Sequence, residues 1–299
     1  MFAVKSPGET WTVGRLLNWT AEYLKERGSE TARLDAEVLL AHTLECERIQ
    51  LYTRFDEAVA DERRASFREL VRRRAAGSPV AYLVGHKEFF SLDFFVSPAV
   101  LIPRPESEFV VMECLRLAEG LEAPLAVDVG TGSGNIAIGV AYRHRSARVI
   151  AIDRSADALA IARKNAERHG VASRMQFLQG DLLEPLAAER PPDSRPAFIL
   201  SNPPYIATAE IANLPVGVRD YEPHSALDGG PDGLAVVGRL IEQARFHLQE
   251  GGHLILEIGA PQETAVRELI EQYPEYRLAP TVTDYSRHPR VVRATRTIQ

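Results

Sequence analysis

The spacing of apolar residues divides the chain into a helical part and a later part rich in extended segments. From Trp11 to about Gly77, apolar residues recur at helical spacing, without runs of β-branched residues. Leu34, Val38 and Leu39 form one such apolar face. We therefore predict a small all-helical domain of several short helices over residues 1–85.

The pattern becomes extended after Gly77-Ser78-Pro79. Two apolar stretches, Glu88 to Val96 and Val100 to Pro103, flank the turn-forming triplet Ser97-Pro98-Ala99. This arrangement predicts a β-hairpin over residues 86–104 that links two domains.

Strand and helix alternate over residues 105–299, which predicts a mostly parallel sheet with helices on both faces. The predicted strands are Leu125 to Val129, Arg148 to Ile152, Met175 to Leu178, Ala197 to Ser201, His253 to Ile258 and Arg290 to Thr297. Helical stretches such as Ser155 to His169 and Leu234 to Leu248 lie between them. Glu257, near the end of one strand, could line a cleft or make a structural hydrogen bond.

The composition is that of a globular protein in a reducing cytoplasm. Of 299 residues, 45% are apolar and 25% are charged. Cys46 and Cys114 are 68 residues apart, so we expect neither a disulfide framework nor a zinc module. The eight histidines form no HxH or HExxH pattern, which argues against a metal site. Neither Met1 to Asn18 nor any later segment has the apolar run of a leader or a membrane span.

Acidic residues are distributed unevenly. Residues 1–85 hold 13 basic and 13 acidic side chains, and the rest of the chain holds 22 basic and 28 acidic ones. Because affinity for phosphate backbones comes mainly from Lys and Arg, we expect no direct nucleic-acid binding. The run from Arg63 to Arg74 is either a basic patch for an acidic or RNA-containing partner or, as we favour, a solvated helix face.

A glycine-rich loop follows the first strand of the predicted α/β domain. The loop consists of Gly130, Thr131, Gly132, Ser133 and Gly134. Alternate glycines let the backbone turn sharply and approach a ligand closely. Asp153 ends the next strand, 19 residues after Gly134, at the spacing of a carboxylate that accepts both hydroxyls of a ribose. We therefore expect a nucleoside-containing cofactor.

The glycines alone fit two cofactors, since Gly132-x-Gly134-x-x-Ala137 also satisfies a dinucleotide fingerprint. Two carboxylates favour S-adenosylmethionine. Asp128, just before the loop, could hold a cationic amino-acid tail and would repel a pyrophosphate. Asp181, after the third strand, could accept from an adenine amino group, or it could be a simple turn residue.

The segment Asn202-Pro203-Pro204-Tyr205 directly follows the fourth strand, at the sheet edge where ligands bind. Both prolines have a fixed φ and no N–H, so the segment offers stiffly held carbonyl acceptors. With the side-chain oxygen of Asn202 these match the two hydrogens of a planar NH2 group, on which Tyr205 can stack. Accepting both N–H bonds would stabilise the positive charge that develops on nitrogen during methyl transfer. The alternative, a rigid turn without chemistry, is disfavoured by the neighbouring glycine loop and Asp153.

The two motifs together resemble the signature of class I S-adenosylmethionine-dependent methyltransferases that methylate planar NH2 groups. Over nearly its whole length the chain further resembles the HemK-type release factor glutamine methyltransferases. The matching segments are Ala32 to Glu37, Pro79 to Gly85, Val100 to Glu108, Tyr221 to Pro223, Leu227 to Gly230 and Leu256 to Gly259. The most discriminating is Ile102-Pro103-Arg104-Pro105-Glu106, where a sibling family that methylates a ribosomal-protein glutamine usually departs.

This resemblance implies a Rossmann-like α/β catalytic domain with a seven-stranded sheet over residues 105–299, preceded by a helical substrate-recognition domain. It implies methylation of the side-chain amide nitrogen of the Gly-Gly-Gln glutamine in class I peptide chain release factors, leaving S-adenosylhomocysteine. Gly130 to Gly134 would hold the methionine end of the cofactor, Asp153 the ribose, and Asp181 or Leu182 the adenine. Asn202 to Tyr205 would hold the glutamine amide.

One departure from the family pattern lies before the last strand, where Asp284 to Arg290 contains Arg287 and lacks the usual glycine. This departure concerns the geometry of the local turn and leaves the expected activity unchanged. Three alternatives stay open: a ribosomal-protein glutamine methyltransferase, a nucleic-acid adenine-N6 methyltransferase, and a nicotinamide-dependent oxidoreductase. The Ile-Pro-Arg-Pro-Glu segment disfavours the first and the acidic excess after residue 85 the second. The third lacks an evident proton-relay Tyr/Lys pair and leaves Asn-Pro-Pro-Tyr unexplained.

Overall fold

A computed structural model describes residues 10–189 and 195–297 of the chain. Contacts divide them into two units: one runs to Gly85 and includes Pro215–Tyr221, and the other comprises His86–Leu214 and the described residues from Glu222 onward. Among the described residues, no helix is long and apolar enough to cross a membrane. The prediction that no leader is present concerns a segment whose first nine residues lie outside the described ranges.

The first unit is helical, as the apolar spacing predicted. Its helices are α1 (Val13–Lys25), α2 (Ala32–Leu44), α3 (Arg48–Thr53), α4 (Asp61–Ala75), α5 (Val80–Val84) and, from later in the chain, α10 (Val216–Arg219). The apolar faces of the longer helices meet in a core that includes Leu16, Leu39 and Phe67, each with no exposed surface. The side chain of Thr12 caps α1 by accepting from the backbone N–H of Arg15.

The arginine-rich run lies on α4, where its members form ion pairs within the unit. Arg63 lies 2.9 Å from the carboxylate of Glu45, and Arg74 lies 2.7 Å from that of Asp35. Other members of the run pair with acids one turn away on the same helix. Arg63 and Arg72 are exposed, as on a solvated helix face, whereas Arg64 and Arg74 are largely covered. The run is therefore a solvated face only in part, and its role stays a prediction.

The hairpin was predicted at the wrong turn. Its strands are β1 (His86–Phe89) and β2 (Leu92–Phe95), and they reverse at Phe90 and Ser91, with φ of 53° and 61°. Residues 97–103 contain no strand. A two-residue hairpin turn of this kind needs positive φ at both positions and usually has Asn-Gly, so Phe-Ser gave no sequence signal. The hairpin groups with the second unit, and Phe94 is buried in the core of that unit.

The second unit is built on one sheet. Its strands are β3 (Leu125–Val129), β4 (Arg148–Asp153), β5 (Met175–Gln179), β6 (Phe198–Ser201), β7 (His253–Glu257), β8 (Tyr276–Leu278), β9 (Val282–Thr283) and β10 (Pro289–Arg296). The order is β5-β4-β3-β6-β7-β10-β8, and β9 pairs with β10. The pairs from β5 to β7 are parallel and those of β10 are antiparallel. The mostly parallel sheet is confirmed, with eight strands where seven were expected, because β9 adds a two-residue pairing.

Helices cover both faces of this sheet. They are α6 (Glu108–Leu117), α7 (Asn135–Arg143), α8 (Ala156–Arg168), α9 (Glu184–Glu189), α11 (Ala235–His247) and α12 (Glu263–Glu271). One core lies on the face of α6 and α7, and the other on the face of α11 and α12. The chain runs outward from β3 through β4 to β5 and then returns to β6 on the other side of β3. Such a reversal leaves a crevice at the carboxyl ends of β3 and β6, the usual ligand position in this class of sheet.

Candidate active site

A cavity of about 520 Å³ opens at the carboxyl ends of β3 to β6. Of the residues predicted to form the site, its wall includes Gly130, Gly132, Asp153, Asp181, Leu182, Asn202 and Pro204. A small neighbouring cavity is lined by Thr131, Ser133 and again Asn202. Asp128, Gly134, Pro203 and Tyr205 are in neither wall. The structure thus brings most of the predicted residues together around one space.

The glycine loop joins β3 to α7. Gly130, Gly132 and Gly134 have φ of 72°, 54° and 82°, in the left-handed region that glycine adopts without a steric penalty. At Gly134 a Cβ would lie only 2.9 Å from the side chain of Ile138, so a residue with a side chain would also clash with its neighbours here. The loop is tied to the neighbouring strand, because the backbone N–H groups of Gly130 and Thr131 both donate to the carbonyl of Ile152 at 2.9 Å.

Asp128 lies beneath the glycine loop and does not face the cavity. Its Oδ2 accepts from the hydroxyl of Thr131 at 2.7 Å and from the backbone N–H of Ala137 at 3.2 Å. The residue is 1% exposed, and burial raises the pKa of its carboxyl to about 7. Among the described residues its Oδ1 has no partner. Asp128 therefore braces the loop, and a contact with a cationic cofactor tail stays a prediction.

Asp153, at the end of β4, combines a wall position with contacts to the loop. Its Oδ2 accepts from the backbone N–H of Gly132 and its Oδ1 from that of Ser155, both at 2.9 Å. The side chain is half-buried in the cavity wall. A carboxylate has about four acceptor sites, so two backbone donors leave room for ribose hydroxyls.

Asp181 and Leu182 follow β5. Asp181 forms an ion pair with Arg239 of α11, 2.5 Å apart, and both side chains are about half exposed. Leu182 is buried, with φ of 50°. Arg239 also lines the cavity and was not predicted from the sequence, because the pair joins positions 58 residues apart.

Asn202 directly follows β6, and its amide is held in one orientation. Its Nδ2 donates to the hydroxyl of Ser107 at 3.0 Å, and that hydroxyl donates to Oε2 of Glu257 at 2.6 Å. Ser107 and Glu257 are both 1% exposed. No described residue donates to the Oδ1 of Asn202, whose side chain borders both cavities. From the sequence, Glu257 could either line a cleft or make a structural hydrogen bond, and Ser107 was not predicted to have a role.

The two carbonyls that follow Pro203 are covered. A Cβ on Gly229 would lie 2.7 Å from the carbonyl oxygen of Pro204, so the glycine packs directly against it. The carbonyl of Tyr205 accepts from Nε2 of Gln262 at 2.8 Å. Within the described residues no hydrogen bond reaches the carbonyl of Pro203, a buried residue that directly follows Asn202.

The Ile-Pro-Arg-Pro-Glu segment is bound by a buried acid through an ion pair and a hydrogen bond. Glu222, whose side chain is 2% exposed, lies 2.5 Å from the guanidinium of Arg104 and accepts from the backbone N–H of Ile102 at 3.3 Å. These contacts join two of the segments on which the sequence resemblance rests. It also positions the 3-10 turn Pro105–Ser107 that presents Ser107 to Asn202.

Burial raises the pKa of one carboxyl group and one phenol at the site. Burial raises the pKa of Glu257 to about 7, although the hydrogen bond from Ser107 lowers it in part. Burial raises the pKa of Tyr205 to about 12, so this phenol keeps its proton at neutral pH. Among the described residues, no group of three or more His, Cys, Asp or Glu side chains is arranged to hold a metal ion.

Two family models match the sequence. One, described as the PrmC N-terminal domain, matches residues 15–85, and the other, a methyltransferase domain, matches residues 125–220. A release factor glutamine methyltransferase of Rhodopirellula baltica is 43% identical over 94% of this chain and 95% of its own length. The protein of the same name from Geobacter sulfurreducens is 44% identical over 86% of this chain and 88% of its own. Among solved structures, a ribosomal protein L11 methylase from Lactobacillus delbrueckii subsp. bulgaricus is 19% identical, with a TM-score of 0.46, over 68% of this chain and 84% of that one.

Proposed function

Since the chain belongs to the release factor glutamine methyltransferase family, we propose that it transfers a methyl group from S-adenosylmethionine to a glutamine side-chain nitrogen. The acceptor is the glutamine of the Gly-Gly-Gln motif in class I peptide chain release factors. The observation that carries the proposal is the fixed amide of Asn202, which borders the cavity with an oxygen that accepts no bond from the described residues.

The cavity residues fit S-adenosylmethionine. The left-handed glycines of the loop admit close approach of a ligand, and Asp153 has acceptor sites left for a ribose diol. The methionine end would lie against Gly130 to Gly134, and the adenine would lie near Asp181 and Leu182. When bound, the cofactor supplies a methyl group on a sulfonium sulfur.

Two acceptors would hold the glutamine amide. Oδ1 of Asn202 and the carbonyl oxygen of Pro203 can each accept one N–H of the substrate NH2 group, and the ring of Tyr205 can lie against the amide plane. An amide nitrogen is a poor nucleophile because its lone pair is delocalised into the carbonyl. Two acceptors stabilise the positive charge that develops on nitrogen and direct the lone pair towards the methyl group.

No side chain has to act as a general base in this scheme. The nitrogen would become cationic as the new N–C bond forms and the methyl–sulfur bond breaks, and it would then release one proton to solvent water to regain a neutral amide. Tyr205, with a pKa of about 12, is neutral throughout and serves as a polar aromatic surface. The two acceptor oxygens, Oδ1 of Asn202 and the carbonyl oxygen of Pro203, carry no proton to exchange with the substrate nitrogen.

We also propose that the helical unit contacts the release factor away from the reacting amide, in the cytoplasm and without direct binding to nucleic acid. Three apolar side chains of this unit, Leu34, Ile49 and Tyr52, are 42%, 72% and 50% exposed and offer area for a protein partner. The unit carries no excess of basic residues, and the remaining chain is acidic. Both features support a protein partner over a phosphate backbone.

The test is incubation of the purified protein with methyl-labelled S-adenosylmethionine and, separately, release factors, ribosomal proteins and DNA, followed by mass mapping of the label. We expect label on the Gly-Gly-Gln glutamine and none on a control release factor with that glutamine replaced by glutamate. Label confined to a ribosomal-protein glutamine or to adenine would assign one of the alternative methyltransferases. Binding of NAD in place of S-adenosylhomocysteine, by calorimetry, would indicate the oxidoreductase.

A further inference from the structure

A three-residue hydrogen-bond chain runs from the site into the core of the second unit. It begins at Nδ2 of Asn202, passes through Oγ of Ser107 at 3.0 Å and ends at Oε2 of Glu257 at 2.6 Å. Ser107 ends the turn before α6, and Glu257 ends β7, the strand next to β6. Each link therefore joins a different element, and Ser107 and Glu257 are shielded from water.

The direction of this chain follows from counting protons. A serine hydroxyl has one proton to donate, and an ionised carboxylate has none. When Glu257 accepts the proton of Ser107, the serine oxygen can only accept from its other neighbour. Asn202 must then turn its NH2 group towards Ser107, which points its carbonyl oxygen away from the serine.

We infer that Ser107 and Glu257 are positioning residues that set the amide orientation of Asn202, so that its oxygen faces the substrate nitrogen. The inference rests on the proposed function, in which this oxygen accepts an N–H of the glutamine. With the amide reversed, Asn202 would turn its own NH2 hydrogens towards the substrate NH2 group. That group has two hydrogens to donate and would meet no acceptor on Asn202. The buried acid thus selects one of two amide orientations that are nearly equal in shape.

The charge of Glu257 makes this selection dependent on pH. A protonated Glu257 can donate to Ser107, which frees the serine proton to bond with Oδ1 of Asn202 in the reversed orientation. The charged and titratable groups that act on Glu257 are Arg104 and Glu106 before α6, Arg290 of β10 and Tyr205. The arginines favour the ionised form, whereas burial and Glu106 disfavour it, and the resulting pKa is about 7.

Kinetics with Ser107→Ala and Glu257→Gln test the inference. We expect kcat to fall roughly 10- to 100-fold in both variants, as for a misplaced reacting group, with KM for the release factor and affinity for S-adenosylhomocysteine within about threefold. The kcat of the unaltered protein should fall on the acid side of about pH 7, and this limb should be absent in Glu257→Gln. The control Tyr276→Phe removes another buried hydroxyl of the same unit, which donates to the carbonyl of Ile241, and should leave kcat unchanged.

A second measurement does not depend on activity. The chain has five asparagines, so selective ¹⁵N-asparagine labelling gives five side-chain NH2 signals, and that of Asn202 is identified by its loss in Asn202→Asp. We expect its shift to titrate near pH 7 in the unaltered protein and to be flat in Glu257→Gln. A pH-independent signal in the unaltered protein, or variants with normal kcat and an unaltered acid limb, would overturn the inference. Failure of the unaltered protein to methylate any release factor would overturn the proposed function alone.

Discussion

The backbone N–H of Gly132 donates to Oδ2 of Asp153 at 2.9 Å, so the acid at the end of β4 is attached to the glycine loop that follows β3. Its other oxygen accepts from the N–H of Ser155, at the start of α8. Asp153 therefore holds two backbone segments in place and still borders the cavity. Its proposed role at the ribose and its role in shaping the loop depend on the same carboxylate.

Replacing Asp153 by alanine is expected to weaken S-adenosylhomocysteine binding about 10- to 100-fold, because two charge-assisted hydrogen bonds to the ribose are lost and Gly132 loses its acceptor. Asp153→Asn keeps one acceptor oxygen and should lose less. Titration calorimetry measures both, with the exposed Glu167→Ala on α8 as the control. An affinity that does not change in Asp153→Ala would remove the ribose role.

Asn202→Ala should abolish transfer and leave the cofactor site nearly intact. We expect kcat to fall at least 100-fold, as when one preorganised hydrogen-bonding group is removed from a reacting centre. Affinity for S-adenosylhomocysteine should change less than about threefold, since the role proposed for Asn202 concerns the substrate amide. Methyl incorporation and calorimetry on the same preparation separate the two effects, and an equal loss of both would contradict this assignment.

Arg287 has φ of 66°, a left-handed conformation that glycine adopts without a steric penalty, and it lies in the segment where the sequence resemblance leads us to expect a glycine. A residue with a Cβ pays about 1 to 2 kcal/mol in the left-handed region, and glycine loses about 0.5 to 1 kcal/mol more backbone entropy on folding. Arg287→Gly should therefore raise the free energy of unfolding by about 0.5 to 1 kcal/mol. Arg287→Ala keeps the Cβ and should show no such gain in denaturant titrations. Equal stability of the two variants would mean that the turn is not strained.

Glu257 is predicted to reduce stability at the pH where it is proposed to work. Its pKa is about 7 in the folded chain and near the ordinary 4.5 when unfolded. Between these values the unfolded chain releases its proton while the folded chain retains it, so stability falls as pH rises through this window. Glu257→Gln removes this pH dependence. The free energy of unfolding of the variant, compared with that of the unaltered protein, should therefore be about 3 kcal/mol higher at pH 8 than the same comparison gives at pH 4.

Denaturant unfolding of the second unit at both ends of that range measures the difference. Asp128, whose pKa burial also raises to about 7, is present in both proteins and cancels from the comparison. A difference in stability that is independent of pH would show that Glu257 ionises normally. Higher stability together with lower kcat in the same variant would show that the acid is kept for function.

Several of the strands that could be predicted from sequence have continuous apolar runs. Leu125 to Val129 was predicted with its observed bounds, because a strand buried on both faces reads as an uninterrupted run. Tyr276–Leu278 and Val282–Thr283 are too short to give a periodic signal. The hairpin turn was misplaced because Phe90 and Ser91 adopt positive φ without the residues that usually mark it.

Within the site, local motifs could be predicted and long-range contacts could not. The loop and Asn202 each follow a strand and Asp153 ends one, so their meeting at one sheet edge follows from the topology. Ser107 and Glu257 lie 95 residues before and 55 residues after Asn202, and only the folded chain shows that they meet. A buried acid at the end of an apolar strand was the one available signal, and it did not identify the partner.

Gly229 and Gly233 also limit how this site can change during evolution. A Cβ on Gly233 would lie 2.3 Å from the carbonyl oxygen of Tyr205, and one on Gly229 would lie 2.7 Å from that of Pro204. Neither glycine can acquire a side chain unless the Asn-Pro-Pro-Tyr segment moves. A substitution at either glycine is therefore expected to disturb the Asn-Pro-Pro-Tyr segment, and a mutant library intended to redirect the enzyme to another nucleophile should randomise both segments together.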